Sequence, residues 1–150
     1  MSYETLDAIA DAYTPLLLIL FLIGLGVNLY RCWPNYRESV SQFIFLFLLL
    51  IVSYSFMFID KSFGLWSAFG ADYSTHTAVA LSLAFSLCIL APRRARWIVG
   101  SMFAYAALMV YQQYHSVLDI VSTAAVTSLF ALSFFRVIFN KKKRIAKLVN

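Results

Sequence analysis

The chain has only two histidines, and each stands in a short polar stretch that opens a long apolar run. The first stretch is Asp72-Tyr73-Ser74-Thr75-His76-Thr77 and the second is Tyr111-Gln112-Gln113-Tyr114-His115-Ser116-Val117-Leu118-Asp119. On a helix, the spacing from His115 to Asp119 puts a carboxylate one turn below an imidazole on the same face. Such a carboxylate holds the ring by one nitrogen and leaves the other free as nucleophile or base. The same residues have a plainer reading as helix starts. Ser116 followed by Asp119 resembles a capping box with Asp in place of Glu. Ser74 or Thr75 is an ordinary N-cap for a helix with a histidine in its first turn. A further reading is a metal site of His76, His115 and Asp119 with Asp72, because two histidines and a carboxylate suit zinc or iron.

The elements that must position these groups are membrane helices. Of the 150 residues, 62% are hydrophobic, against about 45–50% apolar in ordinary soluble domains, and the mean hydropathy is +0.79. A hydrocarbon core of about 30 Å takes about 20 apolar residues as helix. Five stretches qualify, at about 13–30, 41–59, 74–90, 97–111 and 116–139, with Pro15 near the start of the first and Pro92 stopping the third. The expected fold is all-α, one integral membrane domain over residues 1–150 built as a polytopic bundle. Helices three to five are rich in Ala, Ser, Gly and Thr, which lets membrane helices approach closely. These three are expected to form the core, with the bulkier first two facing lipid. No repeat or low-complexity segment is present, and no stretch remains for a soluble domain.

The net charge of +5 is read as a topology signal, with no nucleic-acid partner. Arg31 and Arg37 lie between helices one and two, and Arg93, Arg94 and Arg96 between three and four. Arg136, Lys141, Lys142, Lys143, Arg144 and Lys147 follow helix five, so eleven of the 12 basic residues share one side and only Lys61 does not. Of the 7 acidic residues only Glu38 joins them. This predicts an outside N-terminus and a cytoplasmic C-terminus, with the run Lys141 to Arg144 touching anionic lipid. Glu4, Asp7 and Asp11 make the N-terminus acidic, so no cleavable signal peptide is expected. Cys32 and Cys88 fall near cytoplasmic helix ends and are expected to be free thiols. Helices three and five then both start at the outer face. Their unpaired N–H groups and partial positive charge favour an anion there, beside His76 and His115 and an acid that is costly at membrane depth unless it is functional.

With both motifs in hand, the chain resembles the type-2 phosphatidic acid phosphatase superfamily of integral membrane lipid phosphatases and phosphotransferases. That family's second signature, Pro-Ser-Gly-His at a helix start, matches Tyr73-Ser74-Thr75-His76. Its third, Ser-Arg, five residues, His, three residues, Asp, matches at His115 and Asp119, and His115 follows His76 by 39 residues. The likeness spans roughly residues 60 to 135. It implies that His115 is the nucleophile taking the phosphoryl group, Asp119 its orienting partner and His76 the acid that protonates the leaving oxygen. Ser74 and the backbone at Thr75 would bind phosphate, and neither cofactor nor metal would be needed. The sequence departs from the family where Met109 and Leu108 replace the third-signature Arg and Ser. Thr75 replaces the second-signature Gly, and counting the first signature from Lys61 reaches Ala68-Phe69 instead of Arg-Pro. Lys61, the helix N-termini, Gln112, Gln113 and Tyr111 are left to meet the phosphate charge.

The activity so implied is cleavage of a lipid phosphate monoester such as phosphatidate, phosphatidylglycerophosphate or a polyprenyl pyrophosphate. It would act at the outer face of a multi-pass protein, in a bacterial inner membrane with the site toward the periplasm or exterior. The partners are the lipid substrate and the bilayer, and five helices leave room for a second copy of the chain. Two other functions fit the same residues. One is headgroup transfer from a phosphodiester, which carries one charge fewer. The other is a non-catalytic lipid-binding or assembly subunit that kept the fold.

Overall fold

The computed structural model describes residues 3–140. Among them every regular element is helical. Helix α1 spans Tyr3–Arg31, α2 Arg37–Phe63, α3 Thr75–Leu90, α4 Ala95–Tyr111 and α5 Val117–Phe135, which continues as a π-helical turn Arg136–Asn140. Short 3-10 turns, Ser67–Phe69 and Pro92–Arg94, lie in the links before α3 and α4. Helix α1 begins well before the expected residue 13, because Ala8, Ala10 and Ala12 are strong helix formers, and Ala10 is buried. Three helices are long and apolar enough to cross a membrane: Glu4–Arg31, Arg37–Phe63 and Val117–Phe139. Helices α3 and α4 have 16 and 17 residues, about 24–26 Å at 1.5 Å per residue, short of about 30 Å of hydrocarbon. They meet at a bend of 119° where Pro92 cannot continue α3. In place of five equal spans there are thus three long helices and one bent pair.

Helix α3 sits at the centre and touches the other four. Its Ala78, Ala80 and Ala84 are buried, and small side chains there let the neighbours close in. Ser82 caps its own turn at Ala78 and lies 3.3 Å from the Ser53 hydroxyl of α2, a polar contact across the apolar interior. The expectation that helices three to five make the core is corrected. Helices α1 and α2 supply its most fully enclosed large side chains, Phe21, Phe45 and Leu49, whereas α4 buries only Tyr105 and Met109. The bulky residues of α1 and α2 serve two faces. Phe21 and Leu17 point inward while Leu16, Ile19 and Ile23 point out, as Phe45 and Leu49 do against Phe43, Phe47 and Ile51. Outward apolar faces of this extent suit hydrocarbon, not water.

Contacts fix which ends meet. Asn28 bonds Gln42, and Gly24 approaches Leu90, so the Arg31–Arg37 and Pro92–Arg96 links share one end. Tyr114 bonds Asp7 and the Asp72 backbone bonds Asp119, so the starts of α1, α3 and α5 share the other. Lys141, Lys142, Lys143, Arg144 and Lys147, read as a lipid-touching run, lie outside the described residues.

Candidate active site

Both histidine stretches fold as helix caps, and the caps bring the histidines together. Ser74 is the N-cap of α3: its hydroxyl accepts from the Thr77 N–H at 3.3 Å and donates to the Thr77 hydroxyl at 2.8 Å. The Ser74 N–H donates to the Thr123 hydroxyl of α5 at 3.1 Å, tying the two helix starts together. Ser116 and Asp119 form the full capping box of α5, with Asp119 N–H donating to the Ser116 hydroxyl at 3.2 Å and Ser116 N–H to Asp119 Oδ2 at 2.7 Å. The other carboxylate oxygen, Oδ1, accepts the Asp72 N–H at 2.8 Å. Asp119 is therefore a clamp between the link before α3 and the start of α5, and it is 6% exposed. The cap reading holds at both helix starts.

His115 lies in the link before α5 with Nδ1 3.8 Å from Asp119 Oδ2. That distance is beyond a hydrogen bond and within electrostatic reach. The ring centroids of His115 and His76 are 6.4 Å apart. Burial lowers the His115 pKa below the ordinary histidine value, reinforced by His76 and opposed by Asp119 and Asp72, so the neutral ring is favoured. With Nδ1 turned to the carboxylate, Nε2 is the ring nitrogen that faces away from it. Both rings line a cleft of about 120 Å³. Its other walls are Ala10 and Asp11 of α1, Tyr105 and Met109 of α4, and Tyr114.

The other residues that the sequence pointed to are not brought to this cleft as contacts. Ser74 is fully buried with its hydroxyl committed to the cap, and Thr75 opens α3 beside it. Lys61 is exposed near the end of α2, and Tyr111 is 74% exposed at the end of α4. Neither lines the cleft. Gln112 is buried under the α4–α5 link. Gln113 ends α4 with φ 59°, and its N–H and that of Tyr114 bond the Val110 and Met109 carbonyls, a Schellman-type stop built without glycine. The residues that sequence reasoning missed are on α1. Asp11 lines the cleft, and Asp7, one turn before it, accepts a hydrogen bond from the Tyr114 hydroxyl. Two acids spaced four apart on one face of a helix were the available signal.

Around the cleft the link before α3 is braced. Trp66 Nε1 donates to the Ser122 hydroxyl at 2.9 Å, its N–H donates to Asp60 at 2.8 Å, and its ring meets Tyr73 edge-on. Tyr73 donates to the Ser53 carbonyl, and burial pushes its phenol up to about 12, so it stays protonated as a strut. Among the described residues no three His, Cys, Asp or Glu side chains gather to share a metal ion. The Asp119 oxygens, counted in the metal reading, already face backbone N–H groups. No family model, curated protein or solved structure matches this chain.

Proposed function

We propose that the chain is a membrane lipid-phosphate phosphatase that works through a phosphohistidine on His115, as its resemblance to the type-2 phosphatidic acid phosphatase superfamily implies. The observation that supports this best is the pairing of two imidazoles across a cleft at the starts of α3 and α5, one of them beside a buried carboxylate. The two ring centres stand 6.4 Å apart. In the proposed reaction, neutral His115 Nε2 attacks phosphorus and the bond from phosphorus to the lipid oxygen breaks. His76 gives its proton to that oxygen, releasing the lipid alcohol. Water then attacks the phosphohistidine, His76 takes back a proton, and inorganic phosphate leaves with His115 restored. The α3 and α5 N-termini favour the developing negative charge. In this reading the chain makes five passes with the N-terminus outside. The cleft faces the exterior and the basic links face the cytoplasm, as in a bacterial inner membrane.

One observation favours headgroup transfer as the second reading. Among the described residues no Lys or Arg lines the cleft, and Asp11 does. A phosphodiester carries one charge fewer than a monoester, so it needs less cationic support, and a headgroup cation would sit well near Asp11. Product analysis with purified protein separates the two: free phosphate marks hydrolysis, a new headgroup lipid marks transfer. Loss of both products in His115→Ala is expected. Retention of either product in that variant contradicts the assigned nucleophile, and a biological effect that survives His115→Ala points to a non-catalytic subunit.

A further inference from the structure

Below the histidine cleft, α3, α4 and α5 leave an apolar groove of about 330 Å³. We propose that this groove holds one hydrocarbon chain of the lipid whose headgroup meets the histidines, a claim that rests on the lipid-phosphate reading above. Its upper end is formed by Thr77 and Ile120, the residues that follow His76 and Asp119. It runs along α3 to Cys88, eleven residues or about 16 Å at the helical rise. That is about half of a 30 Å hydrocarbon core, the depth of a single leaflet. Ala106 of α4 and Ala124 of α5 form its walls, where larger side chains would close it.

Any apolar trough at membrane depth meets lipid. What marks this one is its place beside the cleft, with Thr77 and Ile120 each next in the chain to a residue of the histidine site. Met109 of α4 lines the cleft, and Met102 and Ala106, one to two turns away on that helix, line the groove. The Thr77 hydroxyl at the junction accepts a hydrogen bond from Ser74, which meets its polar demand. In this proposal a lipid headed into the cleft has its chain directed between α4 and α5. The groove would set chain-length preference, while His115 and His76 would set the headgroup chemistry.

The test compares a long-chain lipid phosphate with a water-soluble short-chain ester bearing the same phosphate, using the full chain in a bilayer disc. Ala124→Phe and Ala106→Phe fill the groove from two different helices, so misfolding of one leaves the other informative. Ala125→Phe, on the exposed face of α5, is the control. Each filling variant is expected to lower kcat/KM for the long chain relative to the short by about tenfold, with the ratio unchanged in the control. An unchanged ratio in folded filling variants overturns the groove and leaves the phosphatase reading standing. If the unsubstituted protein turns over neither ester, the phosphatase reading fails. The groove is then judged by a lipid phosphate with a photoreactive chain end. Crosslinks concentrated on residues near Cys88 uphold it, and crosslinks spread over outward residues such as Leu16 and Ile23 overturn it.

Discussion

The Asp119 carboxylate accepts two backbone N–H bonds, from Asp72 and Ser116, and stands 3.8 Å from the His115 ring. Removing it leaves two donors without their acceptor, each costing about 1–3 kcal/mol when buried. Asp119→Ala is therefore expected to lower the thermal unfolding midpoint in detergent. Asp119→Asn, which keeps an acceptor oxygen, is expected to lower it less. Equal midpoints for all three proteins would show that the clamp carries no stability. His115 gives a pH prediction. Its folded pKa lies below the ordinary value, through burial first, and that ordinary value is about 6.5. The neutral ring is therefore held to lower pH in the folded protein than in the unfolded chain. The stability this group contributes is fully present above about pH 6.5 and is lost as pH falls through the folded value. The rate of the proposed attack should fall over the same acidic window, with a midpoint below about 6.5. A midpoint that is absent, or is unmoved in His115→Ala for the stability curve, would contradict this.

At the scale of elements, helix ends decide the geometry. Gly64 ends α2 at φ 61°, its N–H bonded to the Asp60 carbonyl, and an added Cβ would meet the Ser67 hydroxyl at 2.6 Å. Gly64→Ala should destabilise by about 1–2 kcal/mol, the cost of left-handed backbone for a residue with a Cβ. Gln113 already carries that cost at φ 59°, so Gln113→Gly should stabilise by up to about 1 kcal/mol. Denaturation of both variants checks the pair, and opposite signs to these would contradict the cap assignments. These ends also show what was legible. The positions of the helices follow from apolar runs and from Pro92, and the caps at Ser74 and Ser116 follow from residue type. The turn at Gln113 was not legible, because a left-handed stop usually announces itself as glycine. Nor was the approach of Asp11 to the histidines, because that depends on how α1 packs on α3. The small residues of α4 suggest a core helix that the fold does not make of it. Ala104 and Ala107 face outward and only Tyr105 and Met109 are buried, since small size permits close packing without requiring it.

The whole molecule is a bundle with opposite ends. One gathers both histidines and acidic side chains, including Asp7, Asp11, Asp72 and Asp119, and the other gathers Arg31, Arg37, Arg93, Arg94 and Arg96. Between them the outer surface is apolar. The charge split is what the positive-inside rule acts on. In the proposed orientation, Ser67→Cys should react with an impermeant thiol reagent added outside intact cells and Ala95→Cys should not. The reverse pattern would move the cleft to the cytoplasmic face.

The most direct measurement is detection of the proposed covalent intermediate. Purified protein would be mixed briefly with a lipid phosphate labelled in its phosphoryl group, quenched in alkali, where phosphohistidine survives, and mapped by mass spectrometry. Phosphohistidine at His115, lost in His115→Ala, is the predicted result. Turnover of the lipid with no phosphoryl group at His115, or with that group at His76, would contradict it.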